Sequence, residues 1–536
     1  MNHFTQIPTT SELRSLEAKW IESCHDNWGL VLMELAGKRA AEIAHAMWQE
    51  HTGSVSILCG RGNNGGDGLV VARYLSLWDV PCVIFMVEGQ QKFPAKERSE
   101  SLINKEAIEK LGLKIISASA SNAAEISKQV SQSGIIVDAL LGTGLDRPVE
   151  AIYKQLVDLI NNSGRPVLAI DIPSGINSDN GQIMGSAVSA QQTVTFGYLK
   201  AGLLLYPGAD FAGQLTLVDI GLPELQTQSK YWLTTHKHVH KLLPKRPTNS
   251  HKGTFGSVLS VAGSSDYRGA ATLASLSALR TGAGLSVLAT PKSVIPEQNA
   301  LEVIYRALSE TSSGNIAAKA IDLVLEELPK HNAVIVGPGL GSHEETISFV
   351  HKLLPSIDKP CVVDADGLNA IAKNTSMFPR NKQFVFTPHP KEFSRLTCIS
   401  TEDIQSNRIE SALKGAQEFD AVVVLKGAHT IIASPTGEVF INPTGNSGMS
   451  TAGAGDVLSG IIGGLLAQGL SPMDAAVAGV YIHGLAGDIA RESIGETGFL
   501  ASDIANSVPG ALRQVNDQGF MGSSLEKSVY DKIPRG

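Results

Sequence analysis

The sequence predicts an α/β protein of two domains, each a mostly parallel sheet flanked by helices, and three observations lead there. At 536 residues the chain exceeds what one hydrophobic core serves. Short β-branched runs alternate with helically spaced apolar segments, as successive βαβ units do. Run after run then ends in a glycine, an acid or a cation, at the edge where open parallel sheets bind ligands.

Composition narrows the function. Hydrophobic residues at 43%, charged at 18% and aromatic at 5% describe an ordinary globular protein, and 53 glycines suggest many tight turns near ligands. Lys plus Arg, 44, against Asp plus Glu, 52, gives a net charge of −8, which argues against a nucleic-acid partner. Phosphate ligands must then be held locally, by backbone amides and a few cations. The five cysteines are scattered without zinc-like spacing, and Cys59, Cys82 and Cys361 sit in apolar runs, as buried thiols of a reducing compartment do. Met1 to Thr10 lacks a basic stretch followed by an apolar one, and no segment has about 18 uninterrupted apolar residues. A cytoplasmic protein with no membrane partner is expected.

In the first half, Leu30 to Trp48 carries Leu32, Leu35, Ala36, Ile43 and Met47 at helical spacing. A strand over Ser54 to Cys59 follows, then the glycine loop Gly60-Arg-Gly-Asn-Asn-Gly-Gly-Asp-Gly68, and helical spacing returns over Leu69 to Leu77. Gly60, Gly62 and Gly65 satisfy a dinucleotide fingerprint, with Glu88 ending the strand Pro81 to Glu88 where a ribose-binding acid should lie. NAD-dependent hydride transfer is therefore the first reading to test. Asn63, Asn64 and Asp67 count against it, because a pyrophosphate cradle needs mostly bare backbone, whereas asparagine carbonyls suit a hard cation or a ribose hydroxyl. Two further strands, Ile135 to Val137 and Val167 to Ile170, lead into Asp138-Ala-Leu-Leu-Gly-Thr-Gly144 and Asp171-Ile-Pro-Ser-Gly175. Each aspartate alone reads as a cap or turn residue; with the Asn64 loop, both converge at one sheet edge.

Asn63-Asn-Gly-Gly-Asp-Gly68, Asp138 to Gly144 and Asp171-Ile-Pro-Ser174 resemble the motifs of the NAD(P)H-hydrate epimerase family, the N-terminal half of bifunctional nicotinamide-nucleotide repair enzymes. The resemblance covers most of residues 1–225 and implies a Rossmann-like three-layer sandwich, a substrate hydrated at C6 of the nicotinamide ring in R and S forms, and a bound potassium ion. By motif position, Asn64, Asp138 and Ser174 would coordinate the ion. Asn63, Asn64, Gly65, Gly66 and Asp67, with Gly142, Thr143, Gly144, Leu145, Asp146, Arg147, Pro148 and Asp171, would line the substrate site. Asp171 is the candidate acid and base, since a buried carboxyl with a raised pKa can exchange a proton at neutral pH.

Residues 226–249 lose periodicity and read as a linker, whose His236, His238 and His240 are expected as exposed polar residues rather than metal ligands. A second domain, 250–515, opens with a strand over Phe255 to Ala262 and an alanine-rich helix over Arg268 to Thr281. Ala333 to Val336 leads into Gly337-Pro-Gly-Leu-Gly341, Cys361 to Val363 into Asp364-Ala-Asp366, Phe384 to Phe386 into Thr387-Pro-His-Pro-Lys-Glu392, and Val422 to Leu425 into Lys426-Gly-Ala-His-Thr430. Asn446-Ser-Gly-Met-Ser-Thr-Ala-Gly-Ala-Gly-Asp456 then runs into the helical segment Val457 to Leu466. A helix N-terminus behind a glycine turn attracts phosphate through free N–H groups and roughly half a positive charge. A carboxylate there repels that ligand, so Asp456 reads as either a helix cap or a proton acceptor.

Asn446 to Asp456 resembles the signature of the ribokinase-like superfamily, and the run of motifs resembles the NAD(P)H-hydrate dehydratase family over about residues 240–515. The resemblance implies kinase-like chemistry. Asp456 would take the proton of the C6 hydroxyl, a nucleotide's terminal phosphoryl would be transferred to it, and phosphate would leave to restore the dihydronicotinamide. Lys426, Gly427, Ala428, His429, Thr430, Gly453, Ala454 and Gly455 would contact the nucleotide, and Gly339, His389 and Asp456 the hydrate. Mg²⁺ would neutralise the nucleotide; Asp364, Asp366 and Glu392 read either as its orienting groups or as helix caps. The chain contains no Gly-x-x-x-x-Gly-Lys-Ser/Thr loop, which excludes P-loop phosphotransfer. The bifunctional layout resembles the bacterial form, which implies ADP as co-substrate, with NADH and NADPH hydrates as the other small-molecule partners. A homo-oligomer is expected. The rivals are a ribokinase-like vitamin kinase fused to a non-catalytic binding module, and an N-terminal half related to RNA-decay scaffold domains. Residues 516–536 are polar and aperiodic, expected as a disordered tail.

Overall fold

The computed structural model describes residues 5–24, 27–87, 99–224, 229–297, 300–380 and 382–517. These form two compact units that divide between Lys230 and Tyr231. Glu88, Leu225 to Gln228 and residues 518–536 of the expected tail lie outside the described residues; Asn516 ends a helix.

The first unit is built on seven strands: β1 (Val55–Cys59), β2 (Cys82–Val87), β3 (Ile115–Ala118), β4 (Ile135–Ala139), β5 (Val167–Ile170), β6 (Gln192–Phe196) and β7 (Gln214–Val218). Their order is β3-β2-β1-β4-β5-β6-β7, parallel throughout. Alternation along the strands sorts side chains into two cores: Val55, Ile57, Cys59, Val137 and Ile170 belong to one, Leu58, Ile136 and Ala169 to the other. The strand order reverses between β1 and β4, and a crevice opens at their carboxyl ends.

One sequence expectation changes here. The helix after β1 is Asn63–Leu77, so most of the expected glycine loop is helical. Its glycines serve close packing: a Cβ at Gly65 would lie 2.0 Å from the Gly60 carbonyl oxygen, at Gly66 2.7 Å from Met33, and at Gly68 2.6 Å from the Ala139 Cβ. Low helix propensity is overridden by tertiary contact.

The second unit is built on ten strands: β8 (Tyr231–Leu233), β9 (Ser257–Val261), β10 (Leu285–Pro291), β11 (Ile304–Leu308), β12 (Ala333–Val336), β13 (Cys361–Val363), β14 (Phe384–Phe386), β15 (Val422–Leu425), β16 (Ile431–Ala433) and β17 (Val439–Ile441). The order is β11-β10-β9-β12-β13-β14-β15-β16-β17-β8, with β16 antiparallel to both of its neighbours and every other pair parallel. The helices Arg268–Arg280 and Ala454–Ala467 meet backbone to backbone, since a Cβ at Gly460 would lie 2.2 Å from the Ala274 oxygen. On its other side Gly463 faces Ile335 of β12.

The linker expected over 226–249 is corrected. Tyr231–Leu233 is β8, paired in register with β17, and His236–Leu242 is a helix capped by Thr235. Val239 is fully buried in the core and His238 stacks on Phe440 at 5.2 Å. A three-residue strand carries too few alternations to register as periodic, and the flanking polar residues mask it. Among the described residues no helix is long and apolar enough to cross a membrane. All five cysteines are free; Cys59 and Cys361 are buried, Cys82 partly.

Candidate active sites

In the first unit, the carboxyl ends of β1, β4 and β5 surround a cavity of about 540 Å³. Asn63, Asn64, Asp67, Gly142, Thr143, Gly144, Leu145, Asp146, Arg147 and Asp171 all line it. Gly65, Gly66 and Pro148 are not among its lining residues: the two glycines are buried in the helix packing, and Pro148 lies exposed beside Gly185.

Beneath the cavity one hydrogen-bond chain ties the three expected ion ligands together. The Asn64 amide donates to the Leu141 carbonyl at 3.0 Å, the Leu141 N–H to the Ser174 hydroxyl at 2.8 Å, and that hydroxyl to Asp138 Oδ1 at 2.7 Å. The Ser174 N–H also donates to Asp138 Oδ2 at 2.8 Å. Burial pushes the Asp138 carboxyl up to about 6, while the bonds from Ser174 and Leu140 pull the other way. Asn64 Oδ1 is buried without a partner. An orphaned amide oxygen beside a buried carboxylate and a hydroxyl is the donor set a hard monovalent cation takes.

Asp171, at the end of β5, adopts a left-handed φ of 65°, a strain that aspartate tolerates and that persists only where surroundings enforce it. Its Oδ1 accepts from Lys200 Nζ at 2.6 Å, from the Thr195 hydroxyl at 3.2 Å and from the Phe196 N–H at 3.3 Å. Lys200 is itself buried and donates also to Thr195 Oγ1 and the Phe196 carbonyl, both at 2.9 Å. Of the further carboxyls that line the same cavity, two are raised. Burial lifts Glu17 to about 7, with Lys200 opposing and Asp171 adding to the rise, and holds Asp67 well above the usual carboxylate range.

Lys200 and Glu17 escaped the sequence reading. Lys200 follows the run Gln192–Phe196, so the rule that strand carboxyl ends carry function could have found it. Glu17 is one acid on the amphipathic helix Thr10–Ser23, and nothing in a single sequence sets it apart.

In the second unit the loops after β13, β14 and β15 and the turn before Ala454–Ala467 bring their charged groups together. Lys426 Nζ lies 2.8 Å from Asp364 Oδ1 and 3.7 Å from Glu392 Oε2. Asp364 Oδ2 accepts from the Ser459 hydroxyl at 2.6 Å. Burial opposes the Lys426 charge, but Asp364 and Glu392 outweigh it and raise its pKa. Burial first, then Asp364, pushes the Asp456 carboxyl up to about 7. Gly453, at φ 92°, sets the turn, and a Cβ at Gly455 would lie 3.2 Å from Lys426 Nζ, so the bare backbone leaves the lysine open.

The cap readings divide. Glu392 closes a capping box with His389, whose Nε2 also lies 3.3 Å from Glu392 Oε1. Asp364 sits at a helix N-cap yet makes no side-chain cap bond, its oxygens going to Lys426 and Ser459. Asp366 accepts from the Gly341 N–H at 2.8 Å. Among the described residues no group of three His, Cys, Asp or Glu could hold a metal ion. These carboxylates therefore do not fit a protein-built magnesium cage.

Gly339, at φ 63°, packs against Tyr267 and Ala270 at the start of Arg268–Arg280, the helix whose Leu273 touches Gly453. Gly427, Ala428, His429 and Thr430 form a turn after β15, with the Thr430 hydroxyl on the Gly427 carbonyl at 2.8 Å. Arg408, which the sequence reading missed, underpins it by donating to the Leu425 and Lys426 carbonyls at 3.0 and 3.3 Å. Asp488, also missed, accepts from the Gly445 N–H at 3.0 Å and the Asn446 amide at 2.9 Å, fixing the start of the glycine-rich stretch.

Two family models match the chain. One, described as NAD(P)H-hydrate dehydratase, covers residues 258–509; the other, YjeF-related protein N-terminus, covers residues 29–202. The bifunctional NAD(P)H-hydrate repair enzyme Nnr of Thermofilum pendens is 43% identical over 536 residues, 99% of this chain and all of that protein. Its Escherichia coli counterpart is 35% identical over 508 residues, 93% of each chain. Among solved structures, the Bacillus subtilis ADP/ATP-dependent NAD(P)H-hydrate dehydratase co-crystallised with ATP/Mg²⁺ is 34% identical, covering 53% of this chain and 98% of its own, with a TM-score of 0.47.

Proposed function

The chain belongs to the bifunctional NAD(P)H-hydrate repair enzymes, and on that premise we propose how its two sites divide the repair. It carries both an epimerase and a dehydratase domain, which removes the vitamin-kinase and binding-module rivals and the hydride-transfer reading.

The dehydratase step takes ADP as its co-substrate. Asp456, raised to about 7, accepts the proton of the C6 hydroxyl; the oxygen attacks the terminal phosphorus, whose bond to the rest of the nucleotide breaks. The C6–O bond then breaks with its electron pair leaving on phosphate, the ring nitrogen lone pair forms an iminium, and loss of a C5 proton restores the dihydronicotinamide. Phosphorylation thus replaces hydroxide by a good leaving group. The Gly453 to Gly455 turn and Lys426 stabilise the transferring phosphoryl, the 427–430 turn holds the nucleotide, and Gly339 and His389 orient the hydrate. Magnesium, if required, would be held by the nucleotide's phosphates rather than by these carboxylates, and would supply charge neutralisation there. The observation that supports this reading best is Asp456 beside the Lys426–Asp364 pair on a glycine turn.

The epimerase step uses the first cavity. Asn64, Asp138 and Ser174 would hold potassium, whose charge would compensate the buried Asp138 carboxylate and help to position bound substrate. Asp171 exchanges a proton with the C6 hydroxyl or with the water that replaces it. The epimerase activity is assigned to the unit that ends at Lys230 and the dehydratase activity to the unit that begins at Tyr231, in a cytoplasmic homo-oligomer. The test follows hydrated NADH, both epimers present, with ADP, ATP or neither. Full recovery of dihydronicotinamide absorbance with ADP is expected. A trace that consumes one epimer and then slows to the spontaneous rate would reject the epimerase half, and recovery with ATP alone would reject ADP. Asp171→Ala, if folded and epimerising at the wild-type rate, removes Asp171 from the mechanism.

A further inference from the structure

Inversion at C6 requires that an oxygen leave one face of the ring and another arrive on the opposite face. A single carboxyl can protonate the departing hydroxyl or deprotonate the arriving water, but the two oxygens are on different sides of the carbon. Asp171 is anchored at the sheet edge, its Oδ1 fixed by Lys200, Thr195 and the Phe196 N–H. A second group is needed, from another wall of the cavity.

The helix Thr10–Ser23 supplies that wall. Thr10 ties it to the loop after β5, its N–H and hydroxyl donating to Asp179 Oδ1 at 2.7 and 2.8 Å, and its hydroxyl lies 2.6 Å from Ser178 Oγ. Leu13 and Leu16 are buried in the core beside it. Arg14 lies against Gly144, where a Cβ would be 2.8 Å from its guanidinium, and one turn on, Glu17 enters the cavity lined by Asp67, Asp171 and Lys200. The helix lies outside residues 29–202 matched by the epimerase-half model.

We infer that Glu17 is a second acid–base residue of the epimerase, acting on the ring face opposite Asp171; this rests on the epimerase reading above. In one direction the Glu17 O–H proton passes to the C6 hydroxyl. The C6–O bond breaks, its pair leaving with water, and the ring nitrogen lone pair forms the C=N bond of an iminium. Water on the other face bonds to C6, the C=N pair returns to nitrogen, and the proton that water loses goes to Asp171. The reverse reaction runs from Glu17 carboxylate and Asp171 acid, so one shared proton serves both directions. Burial holding Glu17 near 7 suits this exchange, and Arg14, Lys200, Asp171 and Asp67 are the charges that face it.

The test uses the full-length protein, measuring R to S interconversion directly by resolving the epimers without nucleotide, across pH 5 to 9. The wild-type rate should fall as pH rises through about 7, where Glu17 gives up the proton that both directions share. Glu17→Gln should lose on the order of 10²–10³ in kcat with KM little changed, and the fall through about 7 should disappear. Glu17→Asp, which keeps the carboxyl, should recover at least tenfold of that loss. The dehydratase rate on pure S hydrate should stay within about twofold, and the first unit should unfold no earlier than in wild type, since removing a carboxyl whose pKa burial raises removes a cost to the fold at higher pH. Wild-type rates in Glu17→Gln, or the same fall through about 7 at a uniformly lower rate in both variants, would overturn the role of Glu17. Failure of wild type to interconvert the epimers would instead overturn the epimerase reading itself.

Discussion

Both units set a lysine against an aspartate that follows a strand: Lys200 on Asp171 at 2.6 Å after β5, Lys426 on Asp364 at 2.8 Å after β13. In each, a second carboxyl feels the charges of that pair and burial lifts it to about 7: Glu17 in one, Asp456 in the other. The difference lies in what carries that second carboxyl. Asp456 stands in the first turn of a helix behind Gly453 and Gly455, at a terminus whose free N–H groups suit a phosphoryl group, whereas Glu17 sits mid-helix, where backbone N–H groups are spent within the helix itself. One arrangement is suited to group transfer and the other to proton exchange alone. The lysine–aspartate pair is the common part; on the proposed function, the glycine turn at the helix terminus would be what separates a kinase-like site from an isomerase-like one.

Asp456→Asn tests that separation most severely. It should cut nucleotide-dependent dehydration by on the order of 10³-fold while epimer interconversion continues, measured on the same preparation. Loss of both activities would show that the two sites are not independent.

Asp364→Asn should slow dehydration about 10²-fold and also move its pH dependence. Dehydration needs ionised Asp456, so the wild-type rate should rise with pH through about 7. Asp364 is the charge that most opposes that ionisation, and its removal also frees Lys426 to favour it; both effects shift the rising limb to lower pH. A limb that stays at 7 would show that Asp364 acts only by holding Lys426.

Gly65→Ala should destabilise the first unit by about 3 kcal/mol, read by denaturant unfolding, with the second unit's transition unmoved. A Cβ 2.0 Å from the Gly60 carbonyl oxygen meets backbone that cannot swing aside.

The smallest effect runs the other way. Asp456 holds its proton to about 7 in the folded state and ionises at the ordinary carboxylate value when unfolded, so the folded chain binds more protons between those values and loses stability as pH rises. Asp456→Asn removes that cost. The inactive variant should be about 2 kcal/mol more stable at pH 8, with the gain shrinking by pH 5, in parallel melts.

The sheets were legible where motif and strand coincide. Val422–Leu425 ahead of Lys426, Cys361–Val363 ahead of Asp364 and Val167–Ile170 ahead of Asp171 are apolar runs whose polar ends declare themselves, and each charged residue reached a site. Positions whose role depends on distant partners were not legible. Gly65 and Gly66 read as a ligand loop because sequence cannot distinguish a glycine that admits a ligand from one that admits Gly60 or Met33. Ser459, one helical turn after Gly455, meets Asp364 95 residues away, and Glu17 joins Lys200 only through the fold.

The three residues of β8 bear on how the second unit could be cut free. A dehydratase begun at residue 250 would lack Tyr231–Leu233 and leave β17, Val439-Phe440-Ile441, with a bare row of N–H and C=O groups beside buried apolar side chains. Such a margin invites another molecule's strand, and stacked copies grow where the native chain has a short, blunt border followed at once by a helix. That brief segment, easily taken for a tether, is a guard against self-association.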